Sequence, residues 1–200
     1  MVAHLSTLCW DLSFVSLANS SRPLYGIRMK SAHVSPKHQT HPFPPLYNGQ
    51  SRILILGSFP SVKSRDAMFF YGHPQNRFWK LMGLLLTKDG QSPQSIPEKK
   101  ELMLHNHIAL WDTIASCDIT GSSDSSITNV VANDFRPILN NADIRQIYCN
   151  GKTSHRLYMK YCRPQTGMDA IPLPSTSPAN AAWSLERLEE AWRQILDYSL

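Results

Sequence analysis

At 200 residues the chain is long enough for one well-buried domain with a tail and too short for two comfortable ones. With 42% hydrophobic and 18% charged residues it has the composition of a globular protein, and no apolar run approaches the roughly 18 residues of a membrane helix, which excludes a helical membrane protein. Twenty Lys and Arg against fifteen Asp and Glu leave a net charge of +5, which suits a polyanionic partner without requiring one.

Residues 1–30 read as a leader, either a disordered tail or a mis-assigned start, because Met29 can itself begin a chain. Its partly apolar stretch is interrupted by Asp11, has no basic segment before it and no A-x-A site after it, which argues against a secretory signal and for a cytoplasmic protein, nucleoid-associated if bacterial. Residues 31–48 are rich in Pro and His. The run His41-Pro42-Phe43-Pro44-Pro45-Leu46-Tyr47 can be neither helix nor central strand, so this segment is expected to be an extended arm lying against the domain at 49–200.

The domain alternates strand and helix, the pattern of an α/β fold with a mainly parallel sheet. Strands are predicted at 53–56, 107–111, 144–149 and 170–173. Helices are predicted at 76–86, where Phe78, Leu81, Met82 and Leu85 recur at helical spacing, and at 97–106, 133–141, 154–161 and from about 180 to 198. Residues 112–128 read as a long polar loop. The four cysteines, Cys9, Cys117, Cys149 and Cys162, are scattered without a C-x-x-C pair, so reduced thiols are expected, with no metal site and no disulfide framework.

An open parallel sheet binds ligands beyond the carboxyl ends of its strands, at a switch point in strand order. The loops there are 57–73, 112–128, 150–154 and 174–180, all rich in Ser, Thr, Asn and Gly. Backbone N–H groups and hydroxyls of this kind suit phosphate oxygens, although any one such loop is equally served by ordinary caps and turns. Ser61, Ser64, Asn150, Gly151, Lys152, Ser175, Thr176, Ser177 and Asn180 are the candidate contacts to a phosphate backbone.

Three motifs, Gly57-Ser58-Phe59-Pro60-Ser61, His73-Pro74-Gln75-Asn76-Arg77-Phe78-Trp79 and Leu173-Pro174-Ser175-Thr176-Ser177-Pro178-Ala179-Asn180, together resemble the uracil-DNA glycosylase superfamily. The likeness is strongest to its hypoxanthine-DNA (deoxyinosine) glycosylase branch. It implies a three-layer α/β/α sandwich on a four-stranded, mainly parallel sheet. It also implies cofactor-free hydrolysis of the base–sugar bond in DNA containing deaminated bases, as the opening step of base excision repair by a monomer. Base flipping follows, because a stacked nucleotide's glycosidic carbon is out of reach of a pocket.

Carried over by motif, Gly57, Ser58 and Phe59 form the pocket lip and Tyr71 matches the aromatic that stacks on the flipped base. In many members the third residue of the first motif is an Asp or Asn that positions water, and here it is Phe59. The branch assigns its catalytic asparagine to H-P-x-N, which makes Asn76 the candidate. An amide is too weakly basic to take a proton, so Asn76 would orient water or the leaving base. His73 is a candidate donor to a purine or a structural group. Asp66, Asp112, Asp118 and Asp124 lie on candidate loops as possible proton acceptors, Asp112 first among them.

Where uracil glycosylases carry a base-polarising histidine and a wedging leucine, this chain has Leu173 and Ser177, a loss that fits a roomier pocket for hypoxanthine, with uracil and xanthine as further substrates. The loop 121–126 is either a flexible surface loop or part of the DNA-facing wall. Two other readings stand beside the glycosylase: a non-catalytic nucleic-acid-binding protein on the same scaffold, suggested by Phe59, and a small-molecule α/β enzyme.

Overall fold

The structure is a computed structural model and describes residues 35–199; the leader at 1–30 lies outside them. In chain order the elements are β1 (Lys37–Thr40), β2 (Ile53–Gly57), α1 (Val62–Asp66), α2 (Phe78–Leu86), α3 (Ile96–His105), β3 (Ile108–Asp112), β4 (Ile114–Ile119), β5 (Thr128–Ala132), α4 (Arg136–Leu139), β6 (Gln146–Asn150), α5 (Lys152–Tyr161), α6 (Arg163–Thr166), β7 (Ala170–Leu173), α7 (Leu185–Trp192) and α8 (Leu196–Ser199).

An apolar run such as Ile53-Leu54-Ile55-Leu56 is comfortable only with both faces covered and both edges paired. β2 has both: every residue is buried, and it lies between β3 and β6 in the parallel sheet β3-β2-β6-β7. The chain leaves β2 towards β3 in one direction and later runs from β6 to β7 in the other. Right-handed crossovers therefore put α1–α3 on one face of the sheet and α5 and α6 on the opposite face, which makes the three-layer sandwich. α3 packs on β3, α5 on β6 and β7, and α7 on α2. Phe78, Leu81 and Met82 on α2 are fully buried, and truncating such a side chain to Ala typically costs about 2–5 kcal/mol.

Helix α2 begins at Phe78 rather than at Asn76, which precedes the N-cap Arg77 and accepts from Phe78 N–H through its side-chain oxygen. Helix α3 starts with a Ser95–Glu98 capping box and Pro97 in its first turn. The last predicted helix is broken by a 3₁₀ turn at Arg193–Ile195 between α7 and α8.

The largest departure from the sequence reading is at 112–128, which is not a loop. It holds β4 and the approach to β5, and with β1 from the arm these form a separate antiparallel sheet, β1-β4-β5. Ser116 and Asp118 interrupt the apolar residues of β4, and register shifts between Ile114 and Asp118 disturb the alternation that marks a strand. β1, with the sequence Lys-His-Gln-Thr, contains no apolar residue and exists only by pairing Lys37–Thr40 with Ile119–Ser116. In the arm beyond it Phe43 and Leu46 are buried, and Leu46 bridges to Leu110. No described helix is long and apolar enough to cross a membrane.

Candidate active site

β2 and β6 are adjacent strands whose connections run to opposite sides, so the crevice lies beyond Gly57 and Asn150. Gly57 pairs with Asp112 across the sheet, and a Cβ on Gly57 would collide with the Asp112 carboxylate and approach the Tyr71 hydroxyl to 3.7 Å. Glycine is required here by close approach. Asp112 is 5% exposed, and its Oδ2 accepts a hydrogen bond of 2.8 Å from His41 Nε2. The imidazole is itself buried, packed against Phe43 and Trp111.

Tyr71 forms the next wall. Its ring stacks on Phe78, with centroids 3.8 Å apart and planes at 22°, and the residue lines the cavity. Its φ of 53° is left-handed, a conformation that costs a non-glycine residue about 1–3 kcal/mol and is held by its surroundings. Those include Ser64, whose hydroxyl accepts from Gly72 N–H and whose carbonyl accepts from Phe69 N–H. The Tyr71 hydroxyl is buried beside Asp112 and Asn150 without a hydrogen bond of good geometry. Burial, reinforced by the Asp112 charge, holds its pKa far above the ordinary phenol range, so it is neutral.

Asn76 lies at the mouth of α2, half-buried, in a network whose donor directions are fixed. Backbone N–H groups can only donate, so Phe78 N (3.0 Å) bonds Asn76 Oδ1 and Thr176 N (2.9 Å) bonds Asn150 Oδ1. Asn150 Nδ2 then donates to Thr176 Oγ1 (2.9 Å), and the Thr176 hydroxyl donates to Asn76 Oδ1 (2.8 Å). Both lone pairs of Asn76 Oδ1 are thereby used. Its Nδ2 has no protein partner among the described residues, so the edge it offers the cavity is a donor edge.

Arg77, next in sequence, turns the other way. Its guanidinium donates to the carbonyls of Thr176 (3.3 Å), Ser177 (2.7 Å), Asn180 (3.0 Å) and Trp183, and its backbone N–H also reaches Thr176 O (3.1 Å). One cation thus gathers the loop 175–183 by its carbonyls. Trp192 Nε1 fixes the start of the loop through Pro174 O (2.9 Å).

The expected residues converge, with corrections. One cavity of about 310 Å³ is lined by Gly57, Ser58, Phe59, Ser61, Ser64, Tyr71, His73, Asn76, Asn150, Ser175 and Ser177, together with Asp112 and Asp124. Ser64 and Thr176 are buried and their hydroxyls are spent inside the protein, so they are framework groups and not phosphate contacts. Ser61 caps α1. Gly151, with φ 103°, is the N-cap of α5, and its missing side chain admits Ser175, whose Cβ would lie 3.0 Å from a Cβ there. Lys152 is exposed in the first turn of α5, and Asn180 is tied to Ser175 O (2.8 Å). An adjoining groove of about 620 Å³ runs along Gly151, Lys152, Ser175, Asn180 and Trp183.

Phe59 is 7% exposed and packs with Ile114, Cys117, Ile119 and Leu157 in a second small core under the antiparallel sheet. His73 Nδ1 accepts from Gln75 N–H (3.2 Å), which puts its ring proton on Nε2. Of the four candidate aspartates, Asp118 is engaged by His38 and Asn129, Asp66 does not line the cavity, and Asp112 and Asp124 do. The loop at 121–126 is part of the wall: Ser122 accepts from Val62 N–H and Asp124 from the Ser58 hydroxyl (2.8 Å). Although Asp124 retains solvent exposure, crowding raises its pKa, with Asp112 adding to the rise and the Ser58 bond opposing it. Composition had not marked His41, which sits in an arm read only as extended chain.

A hydrogen-bonding cavity with an aromatic wall, at the switch point of a parallel sheet and beside a polar groove that carries Lys152, defines an α/β enzyme for a planar, heteroatom-rich ligand. Comparison with known proteins agrees. The family profile described as the uracil DNA glycosylase superfamily matches residues 44–196. The chain is 34% identical over 156 residues to the hypoxanthine DNA glycosylase of Methanosarcina acetivorans, covering 76% of this chain and 95% of that protein. It is 33% identical to the hypoxanthine DNA glycosylase of Methanosarcina barkeri, covering 76% and 94%. The solution NMR structure of a Methanosarcina acetivorans protein described as a uracil DNA glycosylase superposes with a TM-score of 0.63 at 31% identity, covering 78% of this chain and 97% of that one. The chain belongs to the uracil DNA glycosylase superfamily.

Proposed function

We propose that this enzyme, a DNA glycosylase, hydrolyses the N-glycosidic bond of hypoxanthine in deoxyinosine flipped out of DNA, acting as a monomer at the start of base excision repair. The observation that carries the reading is the donor edge of Asn76, a cavity-lining residue whose oxygen is saturated by Thr176 and Phe78 while its Nδ2 has no protein partner among the described residues. As the glycosidic bond breaks, negative charge grows on the departing base while the sugar becomes cation-like. A fixed N–H donor at the base then stabilises the transition state more than the ground state. Loss of one such donor typically costs about 10²–10³ in rate.

Tyr71, backed by Phe78, would stack on the flipped base, and His73 Nε2–H would add a second donor. Flipping costs a few kcal/mol, least for a mispaired base, which favours deaminated bases before chemistry begins. Asp124 would receive the proton of the attacking water; the cation-like sugar demands little basicity of it. Lys152 and the groove around Ser175 and Ser177 would hold the phosphates.

The test is a panel of duplex oligonucleotides, each with one deoxyinosine, uracil or xanthine, incubated with protein and then cleaved at abasic sites by alkali. Deoxyinosine strands are expected to be cut, with uracil and xanthine cut more slowly. Binding without cleavage of any lesion would leave the alternative, a non-catalytic nucleic-acid-binding protein in which Phe59 replaces the water-holding acid.

A further inference from the structure

The arm brings a buried histidine against Asp112, which lines the cavity, from outside the segment matched by the family profile, which begins at residue 44. His41 and Asp112 are both almost wholly buried, and the desolvation cost of burying such a pair is offset by the hydrogen bond between them. One carboxylate oxygen, Oδ2, is taken by His41. The other, Oδ1, lies over Gly57, where only the lack of a side chain makes room for it, and Asp112 lines the cavity there. Beside it lies the buried Tyr71 hydroxyl, next to Asn150 and without a hydrogen bond of good geometry among the described residues.

Chemistry says what that ligand should present. Deamination turns the ring nitrogen next to the exocyclic group from a lone-pair acceptor into an N–H donor, and turns the amine into a carbonyl. A carboxylate oxygen answers the new N–H, and the donor edge of Asn76 answers a carbonyl. The undeaminated base, with a lone pair towards Asp112 and an amine towards Asn76, is mismatched to both, and buried unpaired groups of this kind discriminate strongly.

We infer that Asp112 is a specificity-determining residue that accepts the lactam N–H of the flipped base, and that His41 of the arm is its positioning residue. The inference rests on the proposed activity for its biological sense, while the recognition is a property of binding alone. The carboxylate's charge opposes charge growth on the leaving base, and the His41 hydrogen bond to Oδ2 tempers that opposition. His41 also fixes the carboxylate's rotation, so one oxygen faces the ligand.

Binding and catalysis are separated by titrating free hypoxanthine and free adenine calorimetrically into the full chain and its variants, alongside single-turnover cleavage of deoxyinosine duplex. The wild type should bind hypoxanthine at least tenfold more tightly than adenine, and Asp112→Asn should lose tenfold or more of that preference. His41→Phe keeps the ring packing without the donor and should lose much of it. His41→Gln keeps an N–H donor and should recover it, which a purely structural role would not produce. Melting curves identify variants that remain folded. A wild type without the preference, a folded Asp112→Asn with the wild-type ratio, or His41→Phe matching wild type overturns the inference. Preference for hypoxanthine without cleavage of any lesion overturns the proposed activity and leaves this recognition standing.

Discussion

Thr176 and Asn76 are 100 positions apart in sequence and joined by a hydrogen bond of 2.8 Å, with the threonine hydroxyl donating to the asparagine oxygen. The bond decides what Asn76 can do. With Phe78 N–H on the same oxygen, the amide cannot serve as an acceptor for water and is left as a donor. The third motif of the sequence thus sets the chemistry of the second.

Replacing Asn76 by Ala should lower the single-turnover cleavage rate on deoxyinosine DNA by about 10²–10³, with little change in duplex affinity. Asn76→Asp should fare no better, because an ionised carboxylate has no donor. A rate within twofold of wild type for either variant, measured by quenched-flow or manual time courses, would remove Asn76 from the mechanism.

Thr176→Val keeps the shape and removes the hydroxyl between Asn150 and Asn76. It should destabilise the protein by about 1–3 kcal/mol in urea unfolding, since a buried amide loses a partner. The cleavage rate should fall by roughly tenfold as the Asn76 amide becomes free to turn, a loss worth about 1.4 kcal/mol. Unchanged kinetics with lowered stability would show that the network holds the fold and not the amide.

Arg77 and Lys152 are both cations near the cavity, and salt dependence distinguishes them. Lys152 is exposed at the start of α5, so Lys152→Ala should reduce the slope of log affinity against log salt by about one phosphate contact. Arg77 spends its donors on loop carbonyls, so Arg77→Met should leave the slope unchanged. It should instead raise hydrogen exchange and protease cleavage at 174–183. A slope change for Arg77→Met would place it on the DNA.

Several thiols and phenols are held neutral by burial: Cys149, Cys162, Tyr148 and Tyr158 are each pushed up to about 12, and Cys117 to about 11. Their folded values lie above the unfolded ones near 9 for Cys and 10 for Tyr. The contribution is therefore fully present below about pH 9, where neither state has ionised, and is lost as pH rises towards the folded values, because the unfolded chain releases its protons first. The urea midpoint should fall steadily from about pH 9 upward and stay flat with respect to these groups from about pH 7 to 8. A midpoint flat through about pH 11 would contradict their burial.

Much of this protein is legible from local sequence, for a physical reason. β2 must be a central parallel strand because Ile53-Leu54-Ile55-Leu56 needs cover on both faces, and α2 must face the core along Phe78, Leu81 and Met82 because the 3.6-residue period leaves it no other packing. The loops beyond the strand ends, and so the place of the cavity, follow from the alternation of strand and helix. What local sequence could not carry is anything that depends on a partner distant in the chain. β1 has no apolar residue and becomes a strand only against β4, and β4 is broken by register shifts. Ser64 and Thr176 look like phosphate binders and are buried struts, and Arg77, inside the second motif, gathers the loop of the third. His41 has no motif to announce it. Only the folded arm brings it to Asp112, where a hydrogen bond in a desolvated site has a strength that neither residue has alone in water.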